Sequence, residues 1–396
     1  MKTCAIIPAR GGSKGIPHKN VRLLAGKPLL AHTIDSAWRA RGVDRVVVST
    51  DDPEIAAVAQ QYGAEVVRRP EDISQDTSTS ELALIHVLDE LQQTEDYEPD
   101  LVVFLQCTSP LTLPEDIDGT INQLLKEEAD SALAVTPFHY YLWRREESGD
   151  AIAINHDPRV RPLRQEREPQ YLETGGVYVM RAEGFRKAGH RFHGKTVAYV
   201  MPPERCLEID EPVDFLIAEV MMRHQQQEER QQMLPLRVSA LVLDFDGVFT
   251  DNRVLVFQDG TEAVVCHRGD GLGLSQLRDV GMPVLVLSSE ENPLVRARCE
   301  KLKIECLTGV PHKEEALRQW LETRGIDPAE VVYVGNDVND LNSMRAVGCS
   351  VAVSDAPAEV RNAAKLILSR PGGRGAVREV GNLVQRRMED INVSHD

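Results

Sequence analysis

Two pairs of carboxylates stand out for the chemistry they could do. CLEIDEPVDF carries Glu208 and Asp210 two residues apart, and LVLDFDGVFTD repeats the spacing with Asp244 and Asp246. On extended backbone that spacing turns both side chains to one face. Paired carboxylates suit Mg²⁺, which takes oxygen ligands and shares itself with substrate phosphates. The opposite charge gathers in IIPARGGSKGIPHKN, residues 6–20, where Arg10, Lys14 and Lys19 are interleaved with Gly11, Gly12 and Gly15. Glycines let backbone approach a ligand closely while the cations attract anions. VVFLQCTSPL then ends an apolar run on Gln106, and SQDTSTSE places hydroxyls where a helix begins. The open N–H groups of such a helix start can bind an anion. Each feature alone has a plainer reading: a solvated loop, a cap, an exposed edge pair. Together they describe a magnesium–nucleotide site.

The elements that must position these residues alternate. CAIIPA, RVVVST, AEVVRR and DLVVFLQ read as strands, with helices expected near 28–41, 53–62, 78–93 and 114–128. Continuous apolar strands between helices imply a mainly parallel sheet covered on both faces. Ligands in such folds bind beyond the carboxyl ends of the strands, where the Arg10–Lys19 loop falls. Near residues 221–236 the text turns to MMRHQQQEERQQMLP, the polar end of a helix followed by a linker. A second alternation follows: VSALVLDFDG, PVLVLSS, EVVYVGND, SVAVS and AKLILS. At 396 residues two domains are expected. The boundaries are a 1–228 domain, a 229–236 linker and a 237–396 domain, both α/β. By the family resemblances of the motifs they carry, the first is expected to hold a Rossmann-like mixed sheet and the second a cap-free Rossmannoid one.

Composition narrows the partners. A net charge of −17 argues against nucleic acid. No apolar run reaches membrane-spanning length, and no signal-peptide pattern precedes the first strand. The seven cysteines are scattered without a CxxC pair, as in a reduced, cytoplasmic protein, and zinc is not expected.

IIPARGGSKGIPHKN, RPEDISQDTSTS, FLQCTSPL, LRQ…YLETGGVYV and EIDEPVDF resemble, in order and spacing, the N-acylneuraminate cytidylyltransferases over about residues 1–220. The resemblance implies a dimeric enzyme that joins CTP to a nine-carbon 2-keto sugar acid and releases pyrophosphate. By the same resemblance Arg10, Ser13, Lys14 and Lys19 hold the triphosphate, with Lys14 and Lys19 catalytic. Arg69 and Ser80 place the nucleotide, and Gln106 and Tyr178 belong to the sugar pocket. Arg164 takes the sugar carboxylate, a match of guanidinium fork to carboxylate. Asp210 binds Mg²⁺ directly and Glu208 binds it through water. Two positions depart from the pattern: Glu208 stands where the family commonly has Asp, and Thr174 where it often has Asn.

DFDGVFTD with the downstream GND-x-x-D resembles the haloacid-dehalogenase phosphatases. This resemblance makes Asp244 the nucleophile and Asp246 the acid–base group. Ser288 and Lys313 bind phosphate; Asp244, the carbonyl of Asp246 and Asp337 bind Mg²⁺, and Asp340 supports that shell. DGLGL and the tail PGGRGAVREV narrow the likeness to cap-free phosphatases of 3-deoxy-octulosonate-8-phosphate, which are tetramers closed by a neighbour's tail. Arg374 and Arg378 are the tail cations of interest; an ordinary charged helix start is the plainer reading of both, and the favoured one for Arg378. The two halves together imply a bifunctional enzyme that frees a nonulosonate from its 9-phosphate and then activates it as the CMP-sugar. The alternatives are a catalytically silent second domain that serves tetramerisation, and a first domain acting on neutral sugars.

Overall fold

Apolar runs become strands wherever helices can cover both faces. The computed structural model describes residues 1–12, 15–75, 77–160 and 163–393, without the side chains of Arg164 and residues 391–393. It divides into two units, Met1–Arg223 and His224–Asp396.

The first unit is built on β1 (Thr3–Pro8), β2 (Arg45–Thr50), β3 (Glu65–Arg68), β4 (Leu101–Leu105), β5 (Ser131–Phe138), β6 (Gln170–Arg181) and β7 (Thr196–Val200). They lie in the order β7-β5-β6-β4-β1-β2-β3. β6 runs antiparallel to both of its neighbours; the other pairings are parallel. Helices α1 (Leu29–Arg39), α2 (Pro53–Gln61), α3 (Ser80–Glu95) and α4 (Pro114–Lys126) fall within a few residues of their expected positions. Local chemistry explains the starts. Pro53 opens α2, and Asp52 caps it by accepting from the Glu54 and Ile55 N–H groups at 2.7 and 3.2 Å. Alternation along β4 sends Val102 and Phe104 to one apolar layer and Leu101, Val103 and Leu105 to the other.

Helix α5 (Pro212–Gln232) carries the chain into the second unit. Residues 229–232, expected within a linker, form its last turn, and the next residues are packed. Leu234 is only 3% exposed in the second core, and the Pro235 carbonyl accepts from Arg387 Nε at 3.0 Å. The second sheet consists of β8 (Ala240–Leu243), β9 (Val284–Leu287), β10 (Glu305–Leu307), β11 (Val331–Gly335), β12 (Cys349–Ala352) and β13 (Leu366–Ile367). Its order is β10-β9-β8-β11-β12-β13, and every pairing is parallel. Helices α6 (Arg268–Asp279), α7 (Pro293–Leu302), α8 (Lys313–Arg324) and α9 (Ala376–Val393) complete the elements used below. Among the described residues, no helix is long and apolar enough to cross a membrane.

Candidate functional site

In the first unit the charged residues meet beyond the carboxyl ends of β1, β2 and β4. The chain leaving β1 passes Arg10, whose Nη1 donates to the Gln75 carbonyl at 3.0 Å and so ties this loop to the segment before α3. Gly11 N–H donates to Asp51 Oδ1 at 3.1 Å. Asn20 is buried and turns the loop back, donating to the Arg10 carbonyl at 3.0 Å while accepting from the Cys107 thiol at 3.1 Å. Lys19 then points inward, 12% exposed, with Nζ 2.6 Å from the Ile209 carbonyl and 3.9 Å from Asp210 Oδ1. Gly15 lies so close that a Cβ there would stand 2.6 Å from the Asp210 carbonyl oxygen, which explains a glycine at this point.

The carboxylate pair is not on a strand, as its spacing suggests, but on an irregular segment hung by single contacts. Ile209 N–H donates to the Thr108 carbonyl at 2.8 Å, and Ile209 is fully buried. No continuous ladder forms, yet the buried Ile209 still separates Glu208 from Asp210. Glu208 Oε1 accepts from the Thr108 hydroxyl at 3.3 Å. Burial and then Asp210 push its carboxyl above the usual range, with the Thr108 hydroxyl and Lys19 opposing them. Gln106 is held at the strand end by its N–H to the Gly176 carbonyl, 3.3 Å.

Arg69 is buried, with Nη2 2.7 Å from the Ser49 carbonyl and Nε 3.1 Å from its hydroxyl. Burial lowers its pKa, Asp51 opposes, and Arg10 adds to the lowering. Ser80 is the first residue of α3, and the N-cap Thr79 makes no side-chain cap bond to that turn.

The second unit concentrates charge in its core. Asp244 follows β8 and is fixed by its own N–H to the Val334 carbonyl at 2.9 Å. Lys313, the first residue of α8, places Nζ 2.8 Å from Asp244 Oδ1 and 2.8 Å from Asp340 Oδ1. Asp340 also accepts from the Tyr333 hydroxyl at 2.8 Å and from Asn336 N–H at 3.0 Å. Burial and the Asp340 charge push the Asp244 carboxyl up to about 7, against Lys313. Burial and Glu290 likewise raise Asp246. Ser288 is buried after β9, and its Oγ accepts from Glu290 N–H at 3.0 Å, so its own proton is available to an acceptor. Asp337 Oδ1 accepts from Val338 N–H at 2.7 Å. The tail packs on the same unit's first motif, with Gly373 N–H 3.0 Å from the Val248 carbonyl and Arg378 N–H 3.0 Å from Asp270 Oδ1.

Residues 4–184 match the cytidylyltransferase family and residues 299–377 the haloacid dehalogenase-like hydrolases. The N-acylneuraminate cytidylyltransferase of Oncorhynchus mykiss is 32% identical over 393 residues, which covers 95% of this chain and 86% of that protein. The chain belongs to the N-acylneuraminate cytidylyltransferase family. The CMP-N,N'-diacetyllegionaminic acid synthase of Legionella pneumophila is 34% identical and covers 57% of this chain and 99% of its own length. Among solved structures, the 3-deoxy-D-manno-octulosonate 8-phosphate phosphatase of Yersinia pestis is 30% identical, covers 42% of this chain and 89% of that chain, and has a TM-score of 0.40.

In this family member the structure brings Arg10, Lys19, Gln106, Glu208 and Asp210 into one connected set, with Arg69 behind them. Ser13 and Lys14 lie outside the described residues. Arg164 falls in a short turn, Arg164–Glu166, and its side chain is not described. Tyr178, expected in the sugar pocket, is buried. It is 3% exposed, its ring stacks on Phe104 at 5.2 Å, and its hydroxyl donates to Glu173. Thr174, singled out as a departure from the family pattern, is buried, with its hydroxyl donating to the Ala134 carbonyl at 3.0 Å. In the hydrolase-like unit Asp244, Asp340 and Lys313 come together as one cluster. Sequence reasoning gave no role to Asn20 or Thr108 and missed Tyr333. Tyr333 carried no signal, since a tyrosine in VVYVG reads as core.

Proposed function

We propose that residues 1–228 transfer CMP from CTP to a nine-carbon 2-keto sugar acid, and that residues 237–396 hydrolyse the 9-phosphate of the same acid, with 229–236 joining the two. The observation that carries the first activity is the Lys19 ammonium packed against Ile209 and Asp210, which draws the glycine loop onto the carboxylate pair. The sugar's anomeric hydroxyl attacks the α-phosphorus and pyrophosphate leaves; catalysis of this kind is mostly positioning and charge neutralisation. Arg10, Ser13, Lys14 and Lys19 hold the triphosphate, and Arg69 and Ser80 place the nucleotide. Gln106 and Arg164 hold the sugar acid.

In the second activity the Asp244 carboxylate attacks the phosphoryl group, and Asp246, whose raised pKa suits holding a proton, protonates the departing sugar oxygen to give the free hydroxyl. Asp246 then takes a proton from the water that cleaves the phosphoaspartate. Ser288 and Lys313 bind phosphate oxygens.

Both sites fit Mg²⁺. In the second, two buried carboxylates share one ammonium and Asp244 is pushed up regardless, so the cluster is short of positive charge. Asp244, the Asp246 carbonyl and Asp337 would hold the ion there, and Glu208 and Asp210 would hold one in the first site. Among the described residues no three or more His, Cys, Asp or Glu side chains form a ready cage. When bound, the metal neutralises phosphoryl oxygens. Assembly is proposed as dimeric through the first unit and tetrameric through the second. Exposed Trp143, Ile152 and Tyr171, and exposed Leu255, Val256 and Phe257, support it.

The test is a panel of nonulosonic acids and their 9-phosphates given to the full chain with CTP and Mg²⁺. Free acids release pyrophosphate at once, and 9-phosphates do so after inorganic phosphate appears. No pyrophosphate from any acid would overturn the first assignment; no phosphate from any 9-phosphate would reduce the second unit to an assembly module.

Metal removal has a signed consequence. Folded Asp244 keeps its proton up to about pH 7 against an ordinary value of 3.8. The folded state therefore binds more protons across that window, and this group's contribution to stability falls as pH rises through it. In chelator the second unit's melting temperature is expected to fall from pH 5 to pH 8. Mg²⁺ should raise it more at pH 8 than at pH 5, and an equal effect at both would contradict the placement.

A further inference from the structure

β6 breaks register beside the proposed sugar pocket. Glu173 pairs with Val135, yet Tyr178 pairs with Leu133, so extra residues bulge out between them. Bulges of this kind re-aim side chains and gather at active sites. Gly175, at φ +70°, sits within the bulge, where a Cβ would stand 3.1 Å from Glu208 Oε2. The bulge therefore lies against Glu208, and the Glu173 carboxylate is near enough to act electrostatically on it.

Glu173 is exposed, yet it is held by a buried chain of contacts. The Tyr178 hydroxyl donates to Glu173 Oε1. The Tyr178 ring stacks on Phe104, and the Arg191 guanidinium packs against both rings, its Cζ 4.7 Å from the Tyr178 centroid and 4.8 Å from that of Phe104. Arg191 Nε in turn donates to Glu81 Oε1 at 2.7 Å, with the two side chains 16% and 9% exposed. Glu81 is the second residue of α3, next to Ser80. The side chain that reaches the pocket is thus oriented through Tyr178 and Arg191 by the helix that receives the nucleotide.

We propose that Glu173 is a specificity-determining residue of the cytidylyl-transfer site, accepting hydrogen bonds from sugar-acid hydroxyls remote from the substrate's carboxylate, and that Tyr178 and Arg191 are its positioning residues. This rests on the cytidylyltransferase reading above. An ionised carboxylate only accepts hydrogen bonds. It repels the carboxylate of the acid, which turns the polyol end of the substrate towards it. Fixing Glu173 in advance removes an ordering cost at binding. Glu173 Oε1 is taken by Tyr178.

The experiment uses the full chain with CTP, Mg²⁺ and N-acetylneuraminate or its deaminated form, together with analogues lacking the 7-, 8- or 9-hydroxyl in turn. Glu173→Gln is expected to raise KM for the acid about tenfold, the loss of one hydrogen bond to a charged group, with KM for CTP unchanged. Tyr178→Phe, which keeps the ring stack, should give a smaller rise of the same kind. One deoxy analogue should be penalised about tenfold by the wild type and not by Glu173→Gln, a response that a purely structural role would not produce. Unchanged KM for the acid, or equal discrimination among the analogues in both proteins, would overturn the assignment while pyrophosphate release continues. If the wild type releases no pyrophosphate with any acid, the site reading itself fails.

Discussion

Asp244→Asn is expected to lower phosphate release from a sugar-acid 9-phosphate by at least about a thousandfold, the scale on which enzymes lose a covalent nucleophile. CTP-dependent pyrophosphate release from the free acid should be unchanged. The amide cannot attack phosphorus, while the backbone anchor to Val334 and the Lys313–Asp340 ion pair remain available. The same substitution removes the carboxyl that burial and Asp340 push up to about 7. Hence the variant in chelator should lose the fall in melting temperature between pH 5 and pH 8. Retention of more than a tenth of the phosphatase rate would assign the nucleophile elsewhere. A variant that melts like the wild type across that pH range would show that Asp244 is not the group charged short of cations.

Lys19→Ala is expected to cut cytidylyl transfer by about a hundredfold to a thousandfold, as when a preorganised donor is removed from a transition-state anion site. Lys19 is nearly buried, and its ammonium is the cation recorded against both the Ile209 carbonyl and the Asp210 carboxylate. Without it Glu208, already pushed up by burial and Asp210, loses an opposing charge. A triphosphate that loses this ammonium is held less well. The effect should fall on kcat at saturating CTP as well as on KM for CTP, and phosphate release by the second unit should be unaffected. A loss below threefold, measured as pyrophosphate release, would remove Lys19 from the catalytic set.

Much of this was readable from residue order because the sites follow the ends of apolar strands. RVVVST became β2 residue for residue, and LVLDFDG put Asp244 directly after β8. A strand buried on both faces is legible as a continuous β-branched run, and its end marks where backbone and side chains emerge together. The strand Ser131–Phe138 and the bulged Gln170–Arg181 were harder to read. The former mixes serine, threonine and proline into its pattern, and the latter interrupts its alternation with two glycines. Glu208 and Asp210 were wrongly placed on a strand, since their spacing does not supply the neighbours that make a ladder.

By itself the sequence determined the two alternating halves, the residues carrying charge and the order in which they emerge, because periodicity, glycine placement and charge are local properties. Only the tertiary structure decided which charges share a neighbour. Lys313 lies between Asp244 and Asp340, and Lys19 beside Asp210, across separations of 27 to 191 residues. It also decided that the Tyr178 hydroxyl bonds to Glu173. Burial and Coulomb energy depend on distance in space, and chain separation carries no record of that distance until the sheets close.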